Sequence, residues 1–328
     1  MAVILIFGLG ACSEQALSKE LVFTAGLKEN EIFEIEGLSA TAEEARLLLA
    51  NVKNQYKEAF GEKIWEQEIE GQPFPAYARE MVKNQLAQLK CMALYAERAG
   101  IDLTEEENES LFQAAGSYYD SLRQEEREAL NVSVEEIHLI YSQLALSEKV
   151  YERLTQDADD EISDAEAKVI VVWHIFKARG QEDEETIKEL SEIRRQIITE
   201  GVDFASMARE HSEDERLEYA FGRGELEQSL EDAAFALAAG AVSGIVETEE
   251  GYHIIKCVSD YDAEKTALNK EKLRKERRQE AFDREYLQFT RKLTSEFNDR
   301  AWGQVSFEDV AVVDNVGLYR IYEEYWKG

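Results

Sequence analysis

The chain has 328 residues, with 37 basic and 69 acidic side chains and a net charge of -32 when histidine is counted neutral. Such a surface repels phosphate backbones, which excludes nucleic acid as a partner and favours partners of basic character. The length calls for about two structural units, and three cysteines are too few for a disulfide framework.

Residues 1–11 carry no side-chain charge and run directly into Cys12. The stretch is shorter than the roughly 20 residues that a bilayer-spanning helix needs. Leu9, Gly10, Ala11 and Cys12 resemble a bacterial lipoprotein box. That resemblance implies cleavage before Cys12, lipid attachment to it, and an extracytoplasmic address on the bacterial cell membrane. No lysine or arginine precedes the apolar run, as one does in a signal peptide. A buried first strand is the other reading of these residues.

Residues 13–40 read as loosely ordered apart from a short strand at 32–37. Thr41, with Glu44 three residues on, forms a reciprocal cap that opens a helix with the stripe Ala45, Leu48, Val52, Tyr56 and Ala59. Pro73 and Pro75, the only prolines, mark the turn before a second helix. Its stripe is Val82, Leu86, Leu89, Ala93 and Ala96, and Gly100 stops it. Thr104 with Glu107 and Ser133 with Glu136 repeat the cap. The last of these helices runs through Ile137, Ile140, Tyr141, Leu144 and Ala145 toward Leu154. Helices with such short connections predict a helical lobe, and the acidic stretch 157–161, without apolar periodicity, ends it.

Residues 169–176 then read as a strand carrying His174. Residues 186–199 place Ile187, Leu190, Ile193 and Ile197 on one helical face, with Gly201 as C-cap. A hairpin over 245–255, with Glu249, Glu250 and Gly251 at its turn, carries His253. From 263 to about 297 the chain reads as one long charged helix, packing through Leu273, Phe282, Leu287, Phe289, Leu293 and Phe297. Its basic cluster, Lys270 to Arg278, has acids interspersed and reads as a solvated face or a salt-bridged seam. Residues 305–307 and 316–322 read as short strands or irregular packing.

The order of these features over 165–262 resembles the parvulin family of peptidyl-prolyl isomerases. A first strand with His174 is followed by a helix. Residues 201–212 then resemble the family's G-x-D-F-x-x-L-A-x-x-x-S passage, and Asp214 falls where parvulins place a cysteine or an aspartate. The stretch from Arg223 to Gly244 is similar to the helix and turn before the family's closing hairpin, which brings His253. Between Asp214 and Phe221 the chain departs from the family, because residues 215–220 form a shortened loop without the glycines of G-D-L-G. The methionine and phenylalanine common in the family's proline pocket are replaced by Leu226 and Leu230.

The resemblance implies a peptidyl-prolyl cis-trans isomerase. His174 and His253 form a hydrogen-bonded pair beneath the site and hold Asp214, while Leu226, Leu230 and Phe221 grip the proline ring. Such a reaction needs no metal or cofactor. His138 and His211 lack the partner spacing of metal ligands and read as surface or helix-flank residues.

Helices before and after such a domain are the layout of the exported PrsA-like and SurA-like foldases. The expected fold is therefore α+β, with a parvulin-like domain inserted between N- and C-terminal helices that join into an all-α chaperone lobe. The expected domains are 1–12, signal peptide and lipobox; 13–160, N-terminal helical lobe; 165–262, isomerase; and 263–328, C-terminal helix and tail. The implied function is an extracytoplasmic, membrane-anchored foldase acting on unfolded exported proteins with X-Pro bonds. The alternative, favoured by the shortened loop, is a holdase chaperone whose parvulin-like domain is inactive.

Overall fold

The computed structural model describes residues 26–69, 71–180 and 183–327. Cys12 and the apolar run before it lie outside the described residues. The chain opens with β1 (Glu31–Ile35), β2 (Leu38–Thr41) and α1 (Ala42–Phe60). A two-residue ladder of β3 (Glu68–Ile69) and β4 (Gln72–Pro73) leads to α2 (Phe74–Ala99), α3 (Glu105–Ser121), α4 (Gln124–Leu130) and α5 (Val134–Thr155). The middle holds β5 (Ile170–Ala178), α6 (Asp183–Arg195), α7 (Phe204–His211), β6 (Glu218–Phe221), α8 (Gln228–Phe235), β7 (Val242–Glu247) and β8 (Gly251–Ser259). The end carries α9 (Ala263–Thr290), β9 (Ser295–Phe297), α10 (Asp299–Trp302) and α11 (Leu318–Trp326). Two compact units result, one of residues up to Asp157 with Ala281–Gly328, the other Ala158–Glu280.

In the flanking unit, side chains set the helix starts. Thr41, Thr104 and Ser133 each accept from the backbone amide three residues on, and Glu44, Glu107 and Glu136 each reach back to the cap amide, satisfying two orphan donors at a time. Gly100, at φ 66°, ends α2 in the left-handed conformation. Behind these ends the stripes converge, with Leu48, Val82, Leu86, Ile137 and Tyr141 buried in one core.

Two parts of this unit differ from the sequence expectation. The long helix stops at Thr290, and Phe297 lies instead in β9, opposite Phe33 of β1, in a three-stranded sheet ordered β2-β1-β9. Pairing with a strand more than 250 residues away overrides the local helical pattern. The lobe is therefore helical apart from this sheet, of which only the first strand is visible in the sequence, and the two-residue β3–β4 ladder. Of residues 316–322, expected as short strand or irregular packing, those from Leu318 on belong to α11. Leu318, Ile321 and Tyr322 are buried at helical spacing, and the Tyr141 hydroxyl donates to the Leu318 carbonyl at 2.7 Å.

The central unit is built on an antiparallel sheet ordered β6-β5-β8-β7. Strand alternation divides its residues between two faces. Ile175 and Ile254 face a core with Leu190 and Ile193 of α6 and Phe204 and Met207 of α7. Ile170, Val172 and Ile255 face the opposite way, against Phe221 and Ala234. A single π-helical turn, Gln196–Glu200, extends α6 to Gly201, which caps it at φ 71°. Ile187, expected on the buried stripe, is exposed. The basic cluster of α9 is a salt-bridged seam inside this unit, with Lys270 on Asp164 at 2.8 Å, Lys272 on Glu225 at 3.0 Å and Arg277 on Glu166.

Candidate active site

Strands β5 and β8 are neighbours, with Phe176 opposite His253 and His174 opposite Ile255. The period of two then places His174 and His253 on the sheet face shared by Val172 and Ile255. Both are buried, and their rings stack with centroids 5.7 Å apart at 25°. The expected hydrogen-bonded pair is thus a stacked pair. Each imidazole turns its Nε2 to another partner, and the rings meet face to face.

His174 Nε2 lies 3.1 Å from Asp214 Oδ2 and 3.2 Å from the Arg216 carbonyl oxygen. Both neighbours only accept, so the geometry assigns the proton to Nε2. His253 Nε2 lies 3.0 Å from the Thr248 hydroxyl, while its Nδ1 is buried without a hydrogen-bond partner among the described residues. Burial pushes the His253 pKa down to about 4, and the neighbouring His174 pushes it the same way. Burial also holds His174 below the ordinary histidine range against the pull of Asp214. Both rings are therefore neutral at pH 7.

Asp214 sits in the loop between α7 and β6. Its Oδ1 accepts from the Arg216 amide at 2.8 Å, and its Oδ2 accepts from the Tyr219 hydroxyl at 2.6 Å as well as from His174. Burial alone would raise this carboxyl, but the Tyr219 hydroxyl, the Arg216 amide and His174 outweigh it and hold the pKa below the usual value. Tyr219 is pushed up to about 12 by burial and by the carboxylate it donates to.

Above these groups lies a cavity of about 150 Å³. Val172, Phe176, Phe221, Leu226, Leu230 and Ile255 form its apolar walls, and His174, Asp214, Tyr219, Glu250 and His253 its polar ones. The chain thus brings together His174, Asp214, His253, Phe221, Leu226 and Leu230, the six residues singled out in this region. Glu231, buried on α8, accepts from the Glu225 and Leu226 amides at 2.8 and 2.9 Å and so fixes the segment that presents Leu226.

Tyr219 and Thr248 were not legible as site residues. The signal for Tyr219 was strand alternation, because it lies two residues before Phe221 and opposite Val172, on the cavity face. His138 and His211 are partly exposed and lie outside the cavity. Among the described residues no cluster of histidine, cysteine, aspartate and glutamate has the geometry to hold a metal ion. Cys91 and Cys257 are buried and unpaired.

An apolar cavity over two stacked neutral imidazoles and an anchored carboxylate suits a site that turns a peptide bond without covalent chemistry. Residues 174–259 match the rotamase family, described as the PPIC-type PPIASE domain, so this stretch of the chain is similar to the parvulin-type peptidyl-prolyl isomerases. Over a longer stretch it is similar to the foldase protein PrsA of Caldanaerobacter subterraneus subsp. tengcongensis, 27% identical over 231 residues that make up 68% of this chain and 71% of that protein. It is 32% identical over 78 residues, 22% of this chain and 66% of the relative, to the peptidyl-prolyl cis-trans isomerase Pin1 of Digitalis lanata. A crystal structure of the peptidylprolyl isomerase PrsA from Bacillus cereus aligns over 93% of this chain and 98% of its own, at 20% identity and a TM-score of 0.39.

Proposed function

We propose that this isomerase is an exported, lipid-anchored foldase. The central unit turns X-Pro bonds through Asp214, His174 and His253, and the flanking unit holds unfolded client chains. The observation that carries the site assignment is the convergence of these three residues with Leu226, Leu230 and Phe221 on one cavity. Similarity to a named foldase over 68% of the chain supports the foldase role. The lipobox-like residues before Cys12 support the anchor. No helix among the described residues is long and apolar enough to cross a membrane.

The chemistry required is electrostatic. Rotation about the X-Pro bond breaks amide resonance, at a barrier of about 18–20 kcal/mol. The resonance form puts negative charge on the carbonyl oxygen and positive charge on nitrogen. A fixed carboxylate beside that oxygen disfavours the form and brings the planar amide closer in energy to the twisted one, provided water is kept from screening it. The leucines and Phe221 grip the pyrrolidine ring while it turns.

The test is isomerisation of a short proline peptide by the intact chain and by Asp214→Ala and His253→Ala variants of verified fold. Asp214→Ala is expected to lower kcat/KM by about tenfold, less than the 10²–10³ of an enclosed oxyanion donor, because this cavity opens to water. An intact chain no faster than the uncatalysed rate, yet still able to suppress aggregation of an unfolded client, would leave a holdase instead. For the anchor, Cys12→Ser should release the protein from cell membranes into the medium, and continued membrane retention of that variant would refute lipid attachment there.

A further inference from the structure

Asp214 is one of the cavity's two carboxylates, and what holds it is as informative as what it faces. Three donors converge on its two oxygens. Of the two on Oδ2, the Tyr219 hydroxyl at 2.6 Å is closer than the His174 nitrogen at 3.1 Å. A hydroxyl on a carboxylate at that distance belongs to the strong, charge-assisted class of hydrogen bond. The phenol ring is itself fixed. It meets His174 edge-on at 4.8 Å, and the Arg216 guanidinium lies over it at 4.4 Å. Arg216 is fixed in turn, since its Nε donates to the Glu218 carbonyl at 2.9 Å.

We propose that Tyr219 is a positioning residue for the isomerase reaction, locking the Asp214 carboxylate in its ionised form and in a single orientation at the cavity wall. This role rests on the reading of Asp214 as the carboxylate that acts on the turning amide. A flexible carboxylate would spread its charge over several directions and take up water. One pinned by Tyr219, His174 and the Arg216 amide has already met those ordering costs before the peptide arrives.

The other titratable groups around this carboxylate are His174 from β5, His253 from β8, Glu250 from the hairpin turn and Arg216 from its own loop. The sign of the pH effect follows from the hydrogen bond. Asp214 has its pKa held down, so activity that needs the carboxylate is present above that pKa and is lost as pH falls through it. Removing the Tyr219 hydroxyl lets the pKa rise, and the loss then begins at higher pH.

The experiment compares the full chain with Tyr219→Phe, Asp214→Asn and the double variant, following isomerisation of a short proline peptide across the acid and neutral range. Tyr219→Phe keeps the ring that packs on His174 and removes only the hydroxyl. At neutral pH it should lower kcat/KM about threefold, a part of what the whole carboxylate contributes. It should also leave KM nearly unchanged and move the acid limb to higher pH. In the Asp214→Asn background the same substitution should have no further effect, because the group it positions is gone. An unchanged rate and acid limb in Tyr219→Phe, or a loss that persists undiminished in the double variant, overturns the role of Tyr219 alone. Asp214→Asn as active as the parent overturns the reading of the site and this role with it.

Discussion

Replacing Lys90 by methionine should destabilise the flanking unit by about 3–5 kcal/mol, the cost of leaving one buried ion without its partner. Lys90 is only 1% exposed, on the core side of α2. Its ammonium lies 2.6 Å from Glu44 Oε1 and 3.2 Å from Gln143 Oε1. Glu44, itself 2% exposed, uses its other oxygen to accept from the Thr41 amide at 2.8 Å, so one carboxylate closes the capping box of α1 and neutralises a lysine of α2. Methionine keeps most of the volume and removes the charge. The carboxylate that remains has no cation and too little water around it. Chemical unfolding of the single variant measures the loss. The double variant Lys90→Met with Glu44→Gln should recover a large part of it, since an uncharged pair no longer has to be compensated and the glutamine oxygen can still accept from Thr41. A single variant as stable as the parent would mean that this pair adds nothing that packing does not already supply.

Lys90 also shows where sequence reading reaches its limit. In the run from Gln88 to Met92 it looks like an ordinary helical lysine, because its partner lies 46 residues away. The features that could be read were those settled within a few residues. The three capping boxes, the glycines that end α2 and the π-helical turn after α6, and the stripes of α1, α2 and α5 depend only on local spacing, and the structure has them except at the end of the α1 stripe, where Ala59 is exposed. The gathering of His174, Asp214 and His253 around a cavity lined by leucines was legible for another reason, the ordered resemblance to a known family. What stayed hidden was decided over long range. Phe297 leaves its helical pattern because Phe33 offers a strand edge. Leu318 to Tyr322 form a helix because the apolar side chains find a core. The stacking of the two imidazoles, in place of a hydrogen bond, with Asp214 on one Nε2 and Thr248 on the other, rests on contacts between elements far apart in the chain.

Alanine at Gly251 should be among the most damaging single-methyl changes in the central unit. Gly251 opens β8 opposite Ala178 of β5. A Cβ there would lie 2.1 Å from the Lys177 carbonyl oxygen, 2.9 Å from the Phe176 ring and 3.0 Å from the Ala178 Cα. Two of these three are backbone atoms, which no rotamer change can move aside. The strands must part at this end, at a cost of about 3 kcal/mol or more, the upper range for overpacking because it is the ladder itself that is displaced. The same residue anchors the turn that aims His253, since the Gly251 amide donates to the Thr248 hydroxyl at 3.1 Å and the Thr248 amide donates to the Gly251 carbonyl at 2.8 Å. Displacement should therefore reach the imidazole two residues on and lower isomerase activity even in the fraction that stays folded. Gly244 in β7 supplies the comparison, since a Cβ there meets nothing within 4 Å. Gly244→Ala should stay within about 0.5 kcal/mol of the parent and keep its activity. Equal unfolding midpoints for the two alanine variants would mean that the β5–β8 ladder accommodates the methyl group, and that the close approach at Gly251 does not fix the hairpin register on which the position of His253 depends.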